Sequence, residues 1–132
     1  MSDVNRLYVV ATWVPRRETI VVGALGPVVF ARGWYAYVGS AVHGRVARVA
    51  RHMRADKPLR WHADYLFARH PATRRWLLDT PLTECAVAAL LSGPGSVAAP
   101  HFGASDCGCA GHLLRIGAPE DVSWLSAANE AV

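Results

Sequence analysis

The sequence predicts a small α+β domain in which a mixed or antiparallel β-sheet is flanked by helices. The N-terminal third of the chain alternates short β-branched and aromatic runs with tight turns, a pattern typical of antiparallel hairpins. Helical spacing of apolar residues begins only after this region. A length of 132 residues with 52% hydrophobic residues suits one domain with its own core, so we treat residues 1–132 as a single unit.

Four strands are predicted in this N-terminal third. They are separated by turn signals, of which the clearest are Gly26-Pro27 and the segment Ala31-Arg32-Gly33. The middle two strands are expected to form a hairpin from Thr19 to Phe30. The four predicted strands are Leu7–Val14, Thr19–Gly23, Val28–Phe30 and Trp34–Val38.

The rest of the chain is predicted to combine helices with two short strands. The segment Lys57-Pro58 ends the first helix, because the residue before a proline disfavours helical geometry. The segment Thr80-Pro81 resembles a helix N-cap followed by proline at the first helical position. The predicted helices are Ala41–Asp56, Leu59–Arg69, Leu82–Ser92 and a C-terminal helix from Ala118, and the predicted strands are Arg75–Leu78 and His112–Ile116.

The first predicted helix carries an apolar stripe and, beside it, a row of cationic groups. Ser40 is placed to cap this helix. The cationic row is either a phosphate clamp or the solvated face of a surface helix. The stripe is Val46, Val49, Ala50 and Met53, and the row is Arg45, Arg48 and His52, with Arg51 and Arg54 toward the other side.

Basic residues are clustered as well as abundant, and the net charge is +4. All basic residues except Lys57 are arginines, and the guanidinium group binds phosphate bidentately. Biased base composition of the coding sequence is an alternative cause of the arginine excess, but it does not explain the clustering. The cluster favours a nucleic-acid partner, DNA first and RNA as an alternative. The candidate nucleic-acid-binding residues are Arg45, Arg51, Arg54, Lys57 and Arg60.

The sequence favours a cytoplasmic protein without a membrane partner. No apolar run reaches the length of a membrane span, and the N-terminus lacks the plan of a secretory signal. Three cysteines, an odd number, do not suit a disulfide framework.

Two segments of the chain resemble the signature of the GIY-YIG nuclease superfamily. The segment Tyr37-Val38-Gly39-Ser40, followed by Arg48-x-x-x-His52, resembles its second half. The segment Leu7-Tyr8-Val9-Val10 resembles its first half, and Glu84 matches a downstream metal-binding glutamate. The resemblance implies the small sheet-and-helix fold of these nucleases, with the Thr19–Phe30 hairpin as an insertion.

The chain is more closely similar to one branch of that superfamily, which comprises small uncharacterised domains that are sometimes fused to DNA-repair glycosylases. The similarity extends from about Tyr8 to Ile116. It rests on four motifs in order, which are YAYVGSA (residues 35–41), RWHADYL (60–66), TEC (83–85) and FGASDCGCAGHL (102–113).

The resemblance implies a metal-dependent nuclease that acts on DNA in repair or processing. Glu84 would bind Mg²⁺ or Mn²⁺, and Arg48 would neutralise the charge that develops on the phosphate. Tyr8 or Tyr37 would accept a proton from the attacking water, with His52 as an alternative base or a phosphate-orienting group.

The first half of the signature departs from the family pattern. Arg6 replaces its glycine and Leu7 its isoleucine, and the gap between Tyr8 and Tyr37 is longer than in typical members. These departures leave open a second interpretation, a nucleic-acid-binding module that does not cut.

Two further motifs supply secondary candidates. His62 and Asp64 belong to the RWHADYL motif, whose alternative role is packing by its aromatic residues. Cys107, Cys109 and His112 form C-x-C-x-x-H, which suits Zn²⁺ with a fourth ligand from Cys85, Asp106 or His101. A cysteine–histidine nucleophile, two buried thiols, or a turn capped by Ser105 and Asp106 are alternatives. The complete secondary set is Ser40, His62, Asp64, Ser105, Asp106, Cys107, Cys109 and His112.

Overall fold

Two β-sheets and three helices make up the described part of the chain in the computed structural model, which describes residues 6–41, 43–91, 112–117 and 119. This arrangement confirms the predicted α+β class. The elements in chain order are β1 (Leu7–Val14), β2 (Glu18–Val21), a 3₁₀ turn (Gly23–Leu25), β3 (Pro27–Phe30), β4 (Gly33–Ser40), α1 (Arg45–His52), α2 (His62–Arg69), β5 (Arg74–Leu78), α3 (Glu84–Leu91) and β6 (Leu113–Ile116).

The main sheet has the strand order β5-β1-β4-β6, and each neighbouring pair is antiparallel. Strands β2 and β3 form a separate two-stranded sheet, which confirms the predicted hairpin. Because β1 and β4 pair along their whole length, the hairpin extends from the connection between them. The register places Tyr8 opposite Gly39 and Val10 opposite Tyr37, so all four lie on one face of the sheet.

The two faces of the main sheet bury different cores. One face packs against the hairpin, α1 and α2, through residues such as Phe30, Val49 and Phe67. The other face packs against α3 through Val87 and Leu91. The tyrosines belong to the first core, whereas Ser40 at the end of β4 reaches Glu84 at the start of α3. The end of β4 is therefore where groups from both faces meet.

The predicted start of the first helix is wrong. Helix α1 begins at Arg45, since Gly44 adopts the left-handed conformation, with φ 69° and ψ 39°. Ser40 does not cap this helix, because its hydroxyl donates to Glu84 instead.

The predicted buried stripe of this helix is confirmed only in part. Val49 is buried and Met53 packs against the core, but Val46 is 69% exposed and Ala50 is exposed, and His52 of the predicted cationic row is buried. The buried face is therefore rotated toward the cationic row, which the sequence had placed beside the core. This rotation is stable because His52 gains a buried hydrogen bond and aromatic neighbours in the core.

The other helices begin later than predicted, and side-chain oxygens explain where. Asp64 accepts the backbone N–H groups of Arg60 and Trp61, so α2 starts at His62 instead of Leu59. Thr83 Oγ1 accepts the backbone N–H of Ala86, so this threonine caps α3 in place of the predicted Thr80. The predicted C-terminal helix from Ala118 lies outside the described residues. Within residues 6–41, 43–91 and 112–117, no helix is both long and apolar enough to cross a membrane.

Candidate active site

Tyr8 and His52 form a buried pair at the centre of the candidate site. Tyr8 Oη lies 2.9 Å from His52 Nε2, so one proton lies between them whichever tautomer the imidazole adopts. Burial raises the pKa of Tyr8, and burial together with the charge of Lys57 lowers the pKa of His52 to about 3. Both groups are therefore uncharged at neutral pH. His52 Nδ1 is buried and has no hydrogen-bond partner within the described ranges.

Gly39 makes room for Tyr8 on the neighbouring strand. A methyl group at Gly39 would lie 2.8 Å from Tyr8 Cε1 and closer still to Cζ and Oη. No ordinary contact is that short, so only glycine leaves room for the Tyr8 ring against β4 in the position from which it reaches His52. This gives a physical reason for the glycine in the YVGS segment.

Tyr37 completes the aromatic part of the site. Its ring centroid lies 5.6 Å from that of His52 and 6.2 Å from that of Phe67, both in edge-to-face geometry. Burial raises the pKa of Tyr37, and the charge of Glu84 raises it further, while the charge of Arg48 acts in the opposite direction. The charges of Arg48 and Glu84 act on Tyr8 in the same two directions. The four predicted site residues are therefore close enough to influence one another electrostatically.

Ser40 connects the cationic and anionic members of the site. Its carbonyl oxygen accepts a hydrogen bond from Arg48 Nη1 at 3.0 Å, and its hydroxyl donates to Glu84 Oε1 at 2.8 Å. A residue that the sequence marked only as secondary thus fixes both Arg48 and Glu84. The contact between Ser40 and Glu84 joins positions 44 residues apart, and local sequence patterns carry no signal for it.

Glu84 has the chemistry of a ligand for a hard divalent cation. Its side chain is 32% exposed, and its second carboxylate oxygen lies 3.5 Å from His112 Nδ1. Mg²⁺ commonly binds through one or two carboxylates and retains several waters, and Glu84 fits that requirement. Among the described residues, no group of three or more His, Cys, Asp or Glu side chains is arranged to hold a metal ion. A metal here would therefore depend on Glu84, with water and substrate oxygens as the remaining ligands.

Asp64 organises the arginines beside the site. It is fully buried and accepts from Arg51 Nη2 and the backbone N–H of Trp61, both at 2.9 Å, and from the backbone N–H of Arg60 at 2.8 Å. Burial by itself would raise the pKa of Asp64, but these hydrogen bonds outweigh it and hold that pKa below its ordinary value. His62, the other candidate of this motif, is half-buried on the first turn of α2, and burial lowers its pKa.

The five predicted nucleic-acid-binding residues divide into two groups. Arg54 and Arg60 are exposed. Arg51 binds Asp64, and Arg45 Nη1 donates to the carbonyl oxygens at the ends of β1 and β5 and to a neighbouring carboxylate. Lys57 Nζ donates to the carbonyl oxygen of Arg51, and burial lowers the pKa of Lys57 to about 8. Arg54 and Arg60 are thus the side chains most available to bind phosphate, while those of Arg45, Arg51 and Lys57 have contacts within the fold.

The sequence did not predict a direct contact between Cys85 and His112. Cys85 Sγ lies 3.5 Å from His112 Nε2, directly beside Glu84. The sequence proposed Cys85 only as one of several fourth ligands for a zinc site. Four residues of that predicted segment, Ser105, Asp106, Cys107 and Cys109, lie outside the described residues, so the zinc prediction stays a prediction.

Trp61 is the neighbouring residue that sequence reasoning passed over. The guanidinium carbon of Arg48 lies 4.7 Å from the centroid of its ring, and that of Arg51 lies 4.8 Å from it. The available signal was a tryptophan beside a basic helix, in the motif that also supplied His62 and Asp64 as candidates.

Comparison with known proteins gives one family match. A family model described as a domain of unknown function, DUF123, matches residues 7–131. No curated protein and no solved structure matches the chain. The match includes every element of the candidate site.

Proposed function

This chain belongs to the DUF123 family, and we propose that it is a metal-dependent nuclease that hydrolyses phosphodiester bonds in DNA during repair or processing. One observation carries the proposal. Ser40 binds Arg48 through its carbonyl oxygen and Glu84 through its hydroxyl, next to the hydrogen-bonded Tyr8–His52 pair. A cation for the phosphate, a carboxylate for a metal and a proton-accepting pair are the groups that phosphodiester hydrolysis requires. The resemblance to the GIY-YIG signature involves these same residues.

Arg48 and Glu84 have complementary roles in this proposal. Arg48 neutralises the negative charge that grows on the phosphate as the water oxygen attacks. Glu84 would hold Mg²⁺ or Mn²⁺, which when bound stabilises charge on the phosphate and on the leaving oxygen. Ser40 keeps the two side chains in fixed positions, so neither has to be ordered when substrate binds.

The Tyr8–His52 pair offers a route for the proton of the attacking water. Because burial raises the pKa of Tyr8, its phenolate form is not available as a base at neutral pH. In the tautomer that carries its proton on Nδ1, His52 accepts the Tyr8 hydroxyl proton at Nε2. Tyr8 Oη can then take the proton of the water as it passes its own to His52, while the new P–O bond forms and the ester P–O bond breaks. Since the pKa of His52 is about 3 in the free protein, this transfer depends on the negative charge of a bound phosphate to raise that pKa toward neutrality.

A non-catalytic nucleic-acid-binding module on the same fold is the second candidate. The nearly complete burial of both phenols favours it, because a buried hydroxyl has little access to an attacking water. In that case Arg48 and the exposed Arg54 and Arg60 bind phosphates, and Glu84 supports Ser40.

Cleavage and binding assays separate the two candidates. Purified protein is incubated with labelled single-stranded, duplex and branched DNA, with Mg²⁺, Mn²⁺ or EDTA. The nuclease proposal predicts cleavage that EDTA abolishes and that Arg48→Ala abolishes, whereas Arg54→Ala lowers only the affinity. Salt-dependent binding without any cleavage would support the binding module, and no binding at low salt would exclude both.

The predicted cytoplasmic location and the predicted zinc site remain proposals with their own tests. Microscopy of a tagged full chain addresses the location. Elemental analysis of protein purified without chelator addresses the zinc site at Cys107, Cys109 and His112, and a molar ratio near zero would contradict it.

A further inference from the structure

Trp61 presents an aromatic ring to solvent beside the residue proposed to bind phosphate. It is 39% exposed, whereas the aromatic residues of the candidate site are buried. The guanidinium groups of Arg48 and Arg51, one helical turn apart on α1, lie within 5 Å of the centroid of this ring, at 4.7 and 4.8 Å. An exposed aromatic ring beside cationic side chains combines a surface on which a base can stack with groups that bind its phosphate.

The backbone of Trp61 is anchored on the buried carboxylate of Asp64. Its backbone N–H donates to Asp64 Oδ2, and the same carboxylate binds Arg51 through both Nε and Nη2. Arg51 also donates to the carbonyl oxygen of Pro58. The backbone of Trp61 is thus fixed at the start of α2, and its ring packs against the two guanidinium groups.

We propose that Trp61 is a stacking platform for an unpaired base of a single-stranded nucleic acid, the phosphate of which binds Arg48. The proposal rests on the proposed function only in assigning a phosphate to Arg48. Proteins that bind single strands combine a positively charged groove with aromatic rings on which bases stack. A base inside a duplex has both faces covered by its neighbours, so the ring is available only to unpaired or terminal bases. Trp61 therefore favours single-stranded or locally opened substrates over intact duplex.

A purely internal role for Trp61 makes a different prediction. If the ring serves only to orient Arg48, its removal should weaken single-stranded and duplex binding alike, because Arg48 would lose its position for both. A stacking role should affect single strands selectively. The ratio of the two affinities therefore separates the alternatives, and the absolute affinity does not.

Trp13 offers a matched control. It is another exposed tryptophan, at 38%, with the guanidinium of Arg32 lying 5.2 Å from its ring. It lies near the opposite end of β1 from Tyr8, and it pairs with Trp34 in the sheet. Its replacement removes a similar aromatic group far from the candidate site.

The experiment measures binding by fluorescence anisotropy in EDTA, so that no strand is cut. The probes are a labelled oligothymidine of about 12 nucleotides, its oligouridine equivalent and a duplex of the same length. Trp61→Ala is expected to weaken binding of the oligothymidine about tenfold with less than about a twofold change for duplex. Trp61→Phe should retain most of the preference, and Trp13→Ala should behave as the parent protein. Equal losses for both DNA probes, or no loss with Trp61→Ala, would overturn the platform. The oligouridine shows whether the platform also accepts RNA.

The outcomes distinguish this inference from the proposed function. A parent protein that cuts DNA, with Trp61→Ala unchanged in its single-strand preference, leaves the nuclease in place and removes the platform. A parent protein that prefers single strands through Trp61 but cuts nothing removes the nuclease and retains the platform. Absence of any binding at low salt overturns both. Circular dichroism of each variant verifies the fold, and Trp61→Leu, which keeps apolar bulk but has no aromatic face, provides the test if Trp61→Ala fails to fold.

Discussion

The substitution Gly39→Ala tests how the candidate site is built. Gly39 lies directly opposite Tyr8 in the β1–β4 pair, and the added methyl would lie 2.8 Å or less from three atoms of the Tyr8 ring and hydroxyl. The Tyr8 ring is buried and hydrogen-bonded to His52, so it has no open space to move into. We expect the ring to be displaced and the hydrogen bond to be lost.

The cost follows from these two effects. Inserting a methyl group into a packed core costs about 1–3 kcal/mol. Leaving His52 Nε2 buried without its partner costs about another 1–3 kcal/mol. The free energy of unfolding is therefore expected to fall by about 4 kcal/mol, a large share of the roughly 5–15 kcal/mol of a typical domain.

A double-mutant cycle assigns this loss to the Tyr8 contact. Urea unfolding followed by circular dichroism gives the midpoint and slope for the parent, Gly39→Ala, Tyr8→Leu and the double variant. In the Tyr8→Leu background Gly39→Ala should cost nearly nothing, because the ring and hydroxyl that it meets are gone. If Gly39→Ala costs less than about 1 kcal/mol, or the same amount in both backgrounds, the reasoning about the tyrosine–glycine contact is refuted.

Three further predictions concern the same region. Tyr8→Phe should lower the free energy of unfolding by about 1–3 kcal/mol in urea, because His52 Nε2 loses its partner. Lowering the pH should destabilise the protein from about pH 6.5 toward pH 3, since the pKa of His52 is depressed to about 3 and the unfolded chain takes up the proton first. His52→Gln should make that pH dependence shallower, while His62→Gln corrects for the smaller contribution in the same direction from His62. Asp64→Asn should cost about 3 kcal/mol in thermal or urea unfolding, because it leaves Arg51 without its carboxylate. Unchanged stability in any of these variants would count against the corresponding contact.

The sheet was the most predictable part of the fold. The bounds of β1 were predicted without error, and β5 differs from its prediction by one residue. These strands could be predicted because β-branched and aromatic residues are concentrated in them and because turn residues bound them. The strand order of the main sheet and the pairing register, which places Tyr8 against Gly39, required the structure.

Helix α1 shows why hydrophobic spacing alone was insufficient. It assigned Val46 to the core, but this side chain is 69% exposed and His52 is buried in its place. A histidine can be buried when distant residues satisfy its ring, and the partner of His52 is 44 residues away. No pattern within the helix reports that partner.

The candidate site was predictable as a set of residues but not as a set of contacts. Tyr8, Tyr37, Arg48 and Glu84 were found through their resemblance to a nuclease signature. The bridging position of Ser40 and the exposure of Trp61 depend on side-chain geometry across different elements, so they became visible only in the structure.

The proposed nuclease activity depends on Glu84 as the ligand of the metal ion. The most direct measurement compares the cleavage rate of the parent with that of Glu84→Gln on labelled DNA in Mg²⁺ or Mn²⁺. The glutamine keeps an oxygen that can accept from the Ser40 hydroxyl but carries no charge for a cation. We predict at least about 100-fold slower cleavage with unchanged DNA affinity in EDTA. Equal cleavage rates for the two proteins, or a parent protein that cuts no DNA with either metal, would contradict the nuclease proposal.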